Sequence, residues 1–145
     1  YGPGDCDLAG FAVGIVDQAQ VPMGDVGIGD VVLGLPSNGV HANGFSLVRR
    51  VVAEAGLDYR EAPPELDRPL GAELLRPTSL YVEPVLALLD RVRVKAAAHI
   101  TGGGLLGRAE KLVQEGQRIV LDPRSYPRPV IFDLIARWGG VTQAE

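Results

Sequence analysis

The sequence holds one cysteine, one methionine, one tryptophan and two histidines in 145 residues. With Cys6 alone, an internal disulfide and every zinc motif built on paired thiolates are excluded. His41 and His99 stand far apart, and neither has a second ligand at metal spacing, which argues against a zinc centre. No run of about eighteen apolar residues and no signal-peptide pattern is present, so neither a membrane partner nor export is expected, and the expected compartment is the cytoplasm. Basic residues are not in excess either: 14 Lys and Arg face 18 Asp and Glu, a net charge of −4. Such a chain has no general field for nucleic acid or anionic lipid, so any phosphate site must be local.

Glycine is abundant, with 19 residues, and its densest use is informative. The stretch Gly34-Leu-Pro-Ser-Asn-Gly-Val-His-Ala-Asn-Gly-Phe-Ser-Leu-Val-Arg49 runs from a polar, glycine-rich loop directly into an amphipathic helix. Glycines take the positive φ angles that turn backbone N–H groups outward, and a helix start adds unpaired N–H groups and the positive end of its dipole. A compact anion such as phosphate suits that combination. The same residues also suit a tight strand-to-helix connection, with Asn and Ser capping backbone groups.

Hydrophobic residues make up 46% and charged residues 22%, as in an ordinary globular protein. The apolar, β-branched runs 8–16, 30–35, 94–100 and 117–121 read as strands. Leu47, Val48, Val51, Val52 and Ala55 recur at helical spacing, with Gly56 as the stop. Residues 57–76 read as mostly loop, with a helical turn at 70–75. Val82, Val85, Leu86, Leu89 and Val92 mark a further helix that either starts at Pro84 or kinks there. Helices are also expected over about 105–114 and 130–138, the latter with Pro129 at its first position and Gly139-Gly140 at its end. Strands and helices alternate, which predicts a layered α/β domain with a mixed sheet. A domain boundary is expected within 18–27. The chain begins in a glycine-rich turn at Tyr1 and stops at Glu145 just after a helical pattern, and so reads as part of something longer.

Gly102-Gly-Gly-Leu-Leu-Gly107 matches G-x-G-x-x-G after an expected strand, with Asp122 ending the next one. His99 and Thr101 put polar groups at the strand end, and no clean βαβαβ half precedes it, so a dinucleotide site is not favoured. The Walker pattern is absent, because Val40 stands where the lysine is required.

Taken together, Asp7-Leu-Ala-Gly-Phe11, Gly29–Arg49, Leu75-Arg-Pro-Thr78 with Tyr81-Val82, Ala98-His-Ile-Thr-Gly-Gly-Gly-Leu105 and Pro129 with Phe132 resemble the AIR synthase (phosphoribosylformylglycinamidine cyclo-ligase) family, in order and at suitable spacing. The resemblance implies residues 1–20 as the end of an ATP-binding N-terminal domain, contributing one strand, and 21–145 as part of the α/β C-terminal domain. It implies ATP-dependent ring closure of formylglycinamidine ribonucleotide to aminoimidazole ribonucleotide, with ATP and Mg²⁺ as cofactors and a homodimer for the full-length enzyme. Alone, the chain is expected to be inactive. Substrate contacts are expected from Ser37, Asn38, Gly39, His41, Asn43, Gly44 and Ser46, and from Thr101, Gly102, Gly103 and Gly104, with His99 as the candidate catalytic residue. A satisfied histidine that fixes the loop is the alternative for His99, and no metal ligand is assigned. Two departures stand out: Gly107-Arg108 replaces the family's usual Glu-Asn, and Tyr126 replaces its usual tryptophan. Other readings are a selenophosphate synthetase or thiamine-phosphate kinase type of enzyme, and a non-catalytic phosphate-binding module.

Overall fold

The computed structural model describes residues 2, 4, 6, 9–22 and 24–142. Asp7 and Leu8, which open the first expected strand and the first family segment, lie outside the described residues. Among the described residues five α-helices are present: α1 (Phe45–Glu54), α2 (Leu70–Leu74), α3 (Val82–Leu89), α4 (Gly104–Ala109) and α5 (Val130–Gly139). Single 3-10 turns occur at Gln18–Gln20 and Glu110–Leu112.

Helices α1 and α5 pack together and, with α2, enclose the core: Val48, Val51, Val52, Leu70, Leu74, Ile131 and Ile135. Burying each such side chain is worth roughly 1.5–3 kcal/mol. Two glycines end the paired helices in the same way. Gly56 and Gly140 take φ of 64° and 58°, and the next N–H reaches back five residues, Leu57 to the Val52 carbonyl and Val141 to that of Ala136. These αL caps satisfy carbonyls that the helix end leaves unpaired. Leu57 and Val141 then pack against the core.

The expected α1 pattern is observed, except that Ala55 is the exposed cap residue after the helix. Pro84 neither starts nor kinks α3. It sits in the first turn, where an N–H has no helical partner and its loss carries no penalty. Pro129 precedes α5 as its N-cap rather than occupying its first position. The expected 105–114 helix is shorter: α4 ends at Ala109 and tightens into the 3-10 turn. Its central Gly107 weakens a regular helix by about 1 kcal/mol relative to alanine.

The expected strands are corrected by the structure: no strand is assigned among the described residues. The apolar runs lie largely open to solvent, with Phe11 93% and Val31 82% exposed. β-Branched composition signals that a segment fits a pleated surface, but a strand exists only once a neighbour completes its hydrogen-bond ladder. What joins 24–30 to 93–95 is one backbone hydrogen bond, from Gly24 N–H to the Lys95 carbonyl (2.9 Å), and two ion pairs. Arg93 binds Asp25 at 2.6 Å, and Lys95 binds Asp30 at 2.7 Å. Asp30 also accepts the Gly27 N–H at 2.6 Å.

Glu73 on α2 is buried between Arg76 at 3.2 Å and Arg68 at 3.6 Å. A buried carboxylate requires such partners, because an unpaired one would suffer the full desolvation penalty. Beside it, Arg137 of α5 bonds Glu65, so the 57–69 loop is held against the helical core by charge as well as by Leu57 and Leu66.

Two predictions concern this framework. A Cβ added at Gly139 would collide with a Val51 methyl group. Helix propensity favours Gly139→Ala, whereas overpacking opposes it by about 1–3 kcal/mol, so urea denaturation should show net destabilisation. The same substitution in a Val51→Ala background should be tolerated better, a coupling that only contact explains. The second concerns acid. The Gly27 N–H and then the Lys95 ammonium hold the Asp30 carboxyl below the ordinary aspartate range. Its contribution is present above the unfolded value, about 3.9, and is lost as pH falls through the lowered folded value. Amide exchange at Gly27 should therefore accelerate only below that range, and Asp30→Asn should show fast exchange at all pH values.

Candidate functional site

Residues 34–44 form a loop that is fixed at one end by α1 and at its middle by the 75–81 segment. Gly44 lies before α1 with φ 80°, and its carbonyl accepts the Val48 N–H at 3.2 Å. No side chain caps α1. The N–H groups of its first turn therefore have no side-chain oxygen as partner, and the capping role open to Asn43 at the sequence level is not taken. Asn43, Gly44 and Ser46 are exposed, Ser37, Asn38 and His41 are half-buried, and Gly39 is buried.

A small network orders the loop. Asn38 donates its Nδ2 to the Pro77 carbonyl at 2.9 Å, and Tyr81 donates its hydroxyl to the Pro36 carbonyl at 2.9 Å. The Tyr81 ring also lies 6.1 Å from that of His41. Because a carbonyl only accepts, the Pro77 contact fixes the Asn38 amide with Oδ1 toward His41. Oδ1 and His41 Nε2 are 2.6 Å apart, so Nε2 must carry a proton. The longer approach of Asn38 N–H to the same nitrogen, 3.4 Å, then faces a donor and is no hydrogen bond. His41 Nδ1 is left as the ring nitrogen for an outside partner. His41 itself adopts φ 61°, alone among the described non-glycine residues. A left-handed conformation at a non-glycine costs of order 1–3 kcal/mol and persists only where surrounding contacts hold it.

The second group lies around a cavity of about 400 Å³ lined by His99, Thr101, Arg108, Lys111 and neighbouring apolar residues. Gly103 and Gly104 take φ of 94° and 64°, turning the chain sharply into α4. Arg108 folds back to donate its Nε to the Gly102 carbonyl at 2.8 Å. Thus the structure groups Asn38 with His41, and His99 with Thr101. Among the described residues, no hydrogen bond, ion pair or ring contact joins the two loops.

Sequence reasoning passed over Tyr81, Arg108 and Lys111 as site residues. Tyr81 and Pro77 belong to the motif Leu75–Val82, and their place in sequence gave no sign that they would clasp Pro36 and Asn38. Arg108 was visible only as a departure from a family pattern. The dinucleotide reading loses its acidic residue: Asp122 binds Arg124 at 3.0 Å and accepts its N–H at 2.9 Å, which lowers the carboxyl's pKa and ties it into a local turn. Among the described residues no three acidic, histidine or cysteine side chains gather at metal-binding distance. Nor is any helix among the described residues long and apolar enough to cross a membrane.

Comparison with known proteins bears on this geometry. Residues 27–139 match the family described as AIR synthase related protein, C-terminal domain. Over the whole chain, the sequence is 49% identical to a phosphoribosylformylglycinamidine cyclo-ligase of Myxococcus xanthus, covering 43% of that protein. It is 48% identical to one from Anaeromyxobacter sp. strain Fw109-5, covering 42%, and 44% identical to one from Burkholderia vietnamiensis, covering 41%. The chain therefore spans less than half the length of these relatives. With the family match running through both loops, the chain belongs to the AIR synthase related family by way of that family's C-terminal domain.

Proposed function

We propose that this chain is the substrate-facing part of an ATP-dependent cyclo-ligase that closes formylglycinamidine ribonucleotide to aminoimidazole ribonucleotide. The supporting observation is the similarity of the entire chain to cyclo-ligases, together with an uncapped α1 start beside the ordered 34–44 loop. In this reaction ATP phosphorylates the formyl amide oxygen, an amidine-side nitrogen attacks the activated carbon, and phosphate leaves as the imidazole closes. The protein's task is to position the nucleotide and to neutralise its charge.

The 34–44 loop takes the ribose phosphate. Backbone N–H groups at the start of α1 and the side chains of Ser37, Asn43 and Ser46 are the donors, and glycines at 39 and 44 allow close approach. His41 presents Nδ1 to the ligand while Asn38 holds its other nitrogen. The His99–Gly104 loop meets the reacting end, with His99 positioned to hydrogen-bond substrate or move a proton during ring closure. ATP binding belongs chiefly to the N-terminal domain that residues 1–20 end, and 21–145 forms part of the α/β C-terminal unit. In this reading the exposed runs 11–16, 30–35 and 94–100 become strands of a layered sheet when their ladders are completed, and the complete enzyme is a homodimer.

In the complete protein, Asn43→Ala should raise the substrate KM by about tenfold to a hundredfold, the worth of one hydrogen bond to a charged group. The KM for ATP should change little. Gly44→Val, which forces a side chain into a φ of 80°, should have a larger effect on the same parameter. Equal weakening of substrate and ATP in a folded variant would overturn the assignment of this loop.

A further inference from the structure

Seven basic side chains form ion pairs among the described residues: Arg68, Arg76, Arg93, Lys95, Arg124, Arg128 and Arg137. Arg108 and Lys111 are not among them, yet both face one cavity with His99 and Thr101. No acidic residue lines that cavity. In a chain of net charge −4, two cations that line one concave place with no carboxylate in the lining make a local positive field. Arg108 is held there by its Nε bond to Gly102, which leaves the outer edge of the guanidinium to bind something else. A cavity of about 400 Å³ is more than an inorganic phosphate needs and lies within the range of small-molecule sites, about 300–1,000 Å³.

We infer that the His99–Arg108–Lys111 cavity binds a phosphoryl-bearing anion of sugar-phosphate size, with Arg108 and Lys111 supplying the charge. Arg108 offers its terminal N–H groups as a planar fork, Lys111 acts as a point charge, and the Thr101 hydroxyl adds a neutral donor. The site gives the chain a second anion-binding pole, separate in its contacts from the 34–44 loop. It rests on the reading of the His99 loop as substrate-facing and adds two residues which that reading did not use.

Proton NMR of the His41 and His99 imidazoles in the complete protein tests this, because the two histidines mark the two loops separately. Each signal is assigned by its loss in His41→Gln or His99→Gln. Ribose 5-phosphate should shift the His99 signal saturably, and inorganic phosphate should do so more weakly, while ribose with matched sodium chloride should not. Lys111→Gln, which breaks no protein hydrogen bond among the described residues, should weaken the response at least tenfold. Arg108→Gln should do the same, and Arg60→Gln, removing an equal charge outside the cavity lining, should leave it intact. A response reproduced by sodium chloride, lost equally in Arg60→Gln, or unchanged in both cavity variants overturns the site. A saturable His99 response in a complete protein that lacks ring-closing activity would remove the enzymatic reading and leave the anion site standing. Ring closure with no His99 response would remove the anion site alone.

Discussion

The approach of α1 to α5 is the constraint on which the rest depends. Val51 lies so close to Gly139 that no β-carbon fits between them, and the buried faces of both helices form one core with α2. That contact sets where α1 begins as well as where it packs. The start of α1 is the end of the 34–44 loop, so side-chain packing on one face of the helix determines where its free N–H groups point at the other end. A site built on the start of a helix is only as well placed as the helix itself.

Around this core the structure is uneven. The segment from 44 to 75 and helix α5 are joined by apolar packing, αL caps and charge contacts. The extended runs and the apolar face of α3 are not: Val82 and Leu86 remain more than half exposed. The contrast follows from how each element is stabilised. A helix satisfies its own backbone and needs only one face covered, whereas a strand depends on a neighbour for every hydrogen bond.

That difference also explains what could be read in the sequence. The period of Leu47, Val48, Val51 and Val52 and the stops at Gly56 and Gly140 were legible because both are local: side-chain spacing and a required positive φ. Pro84 was ambiguous because its tolerance depends on where the helix starts, which is set a few residues away. The β-branched runs carried the composition of strands without information about a partner. At the candidate site, the sequence marked Asn38, His41, His99 and Thr101 through their place among glycines. It did not show that Pro77 and Tyr81 order the first loop, or that Arg108 and Lys111 line the second. Those contacts join positions about forty residues apart, or depend on how Arg108 folds back across a glycine turn.

The Asn38 amide gives the first loop a directional property. It has two unlike ends, one bound to the Pro77 carbonyl and the other to the His41 ring. Which end faces the imidazole is decided on the side away from it. The backbone at Pro77 thereby selects the nitrogen of His41 that bears the proton, although it never touches the ring. A displacement of that carbonyl large enough to free the amide would let it turn over and present a donor in place of an acceptor. The imidazole would then exchange the chemical characters of its two nitrogens, and the face offered to a ligand would change from lone pair to N–H with no residue of the loop itself replaced.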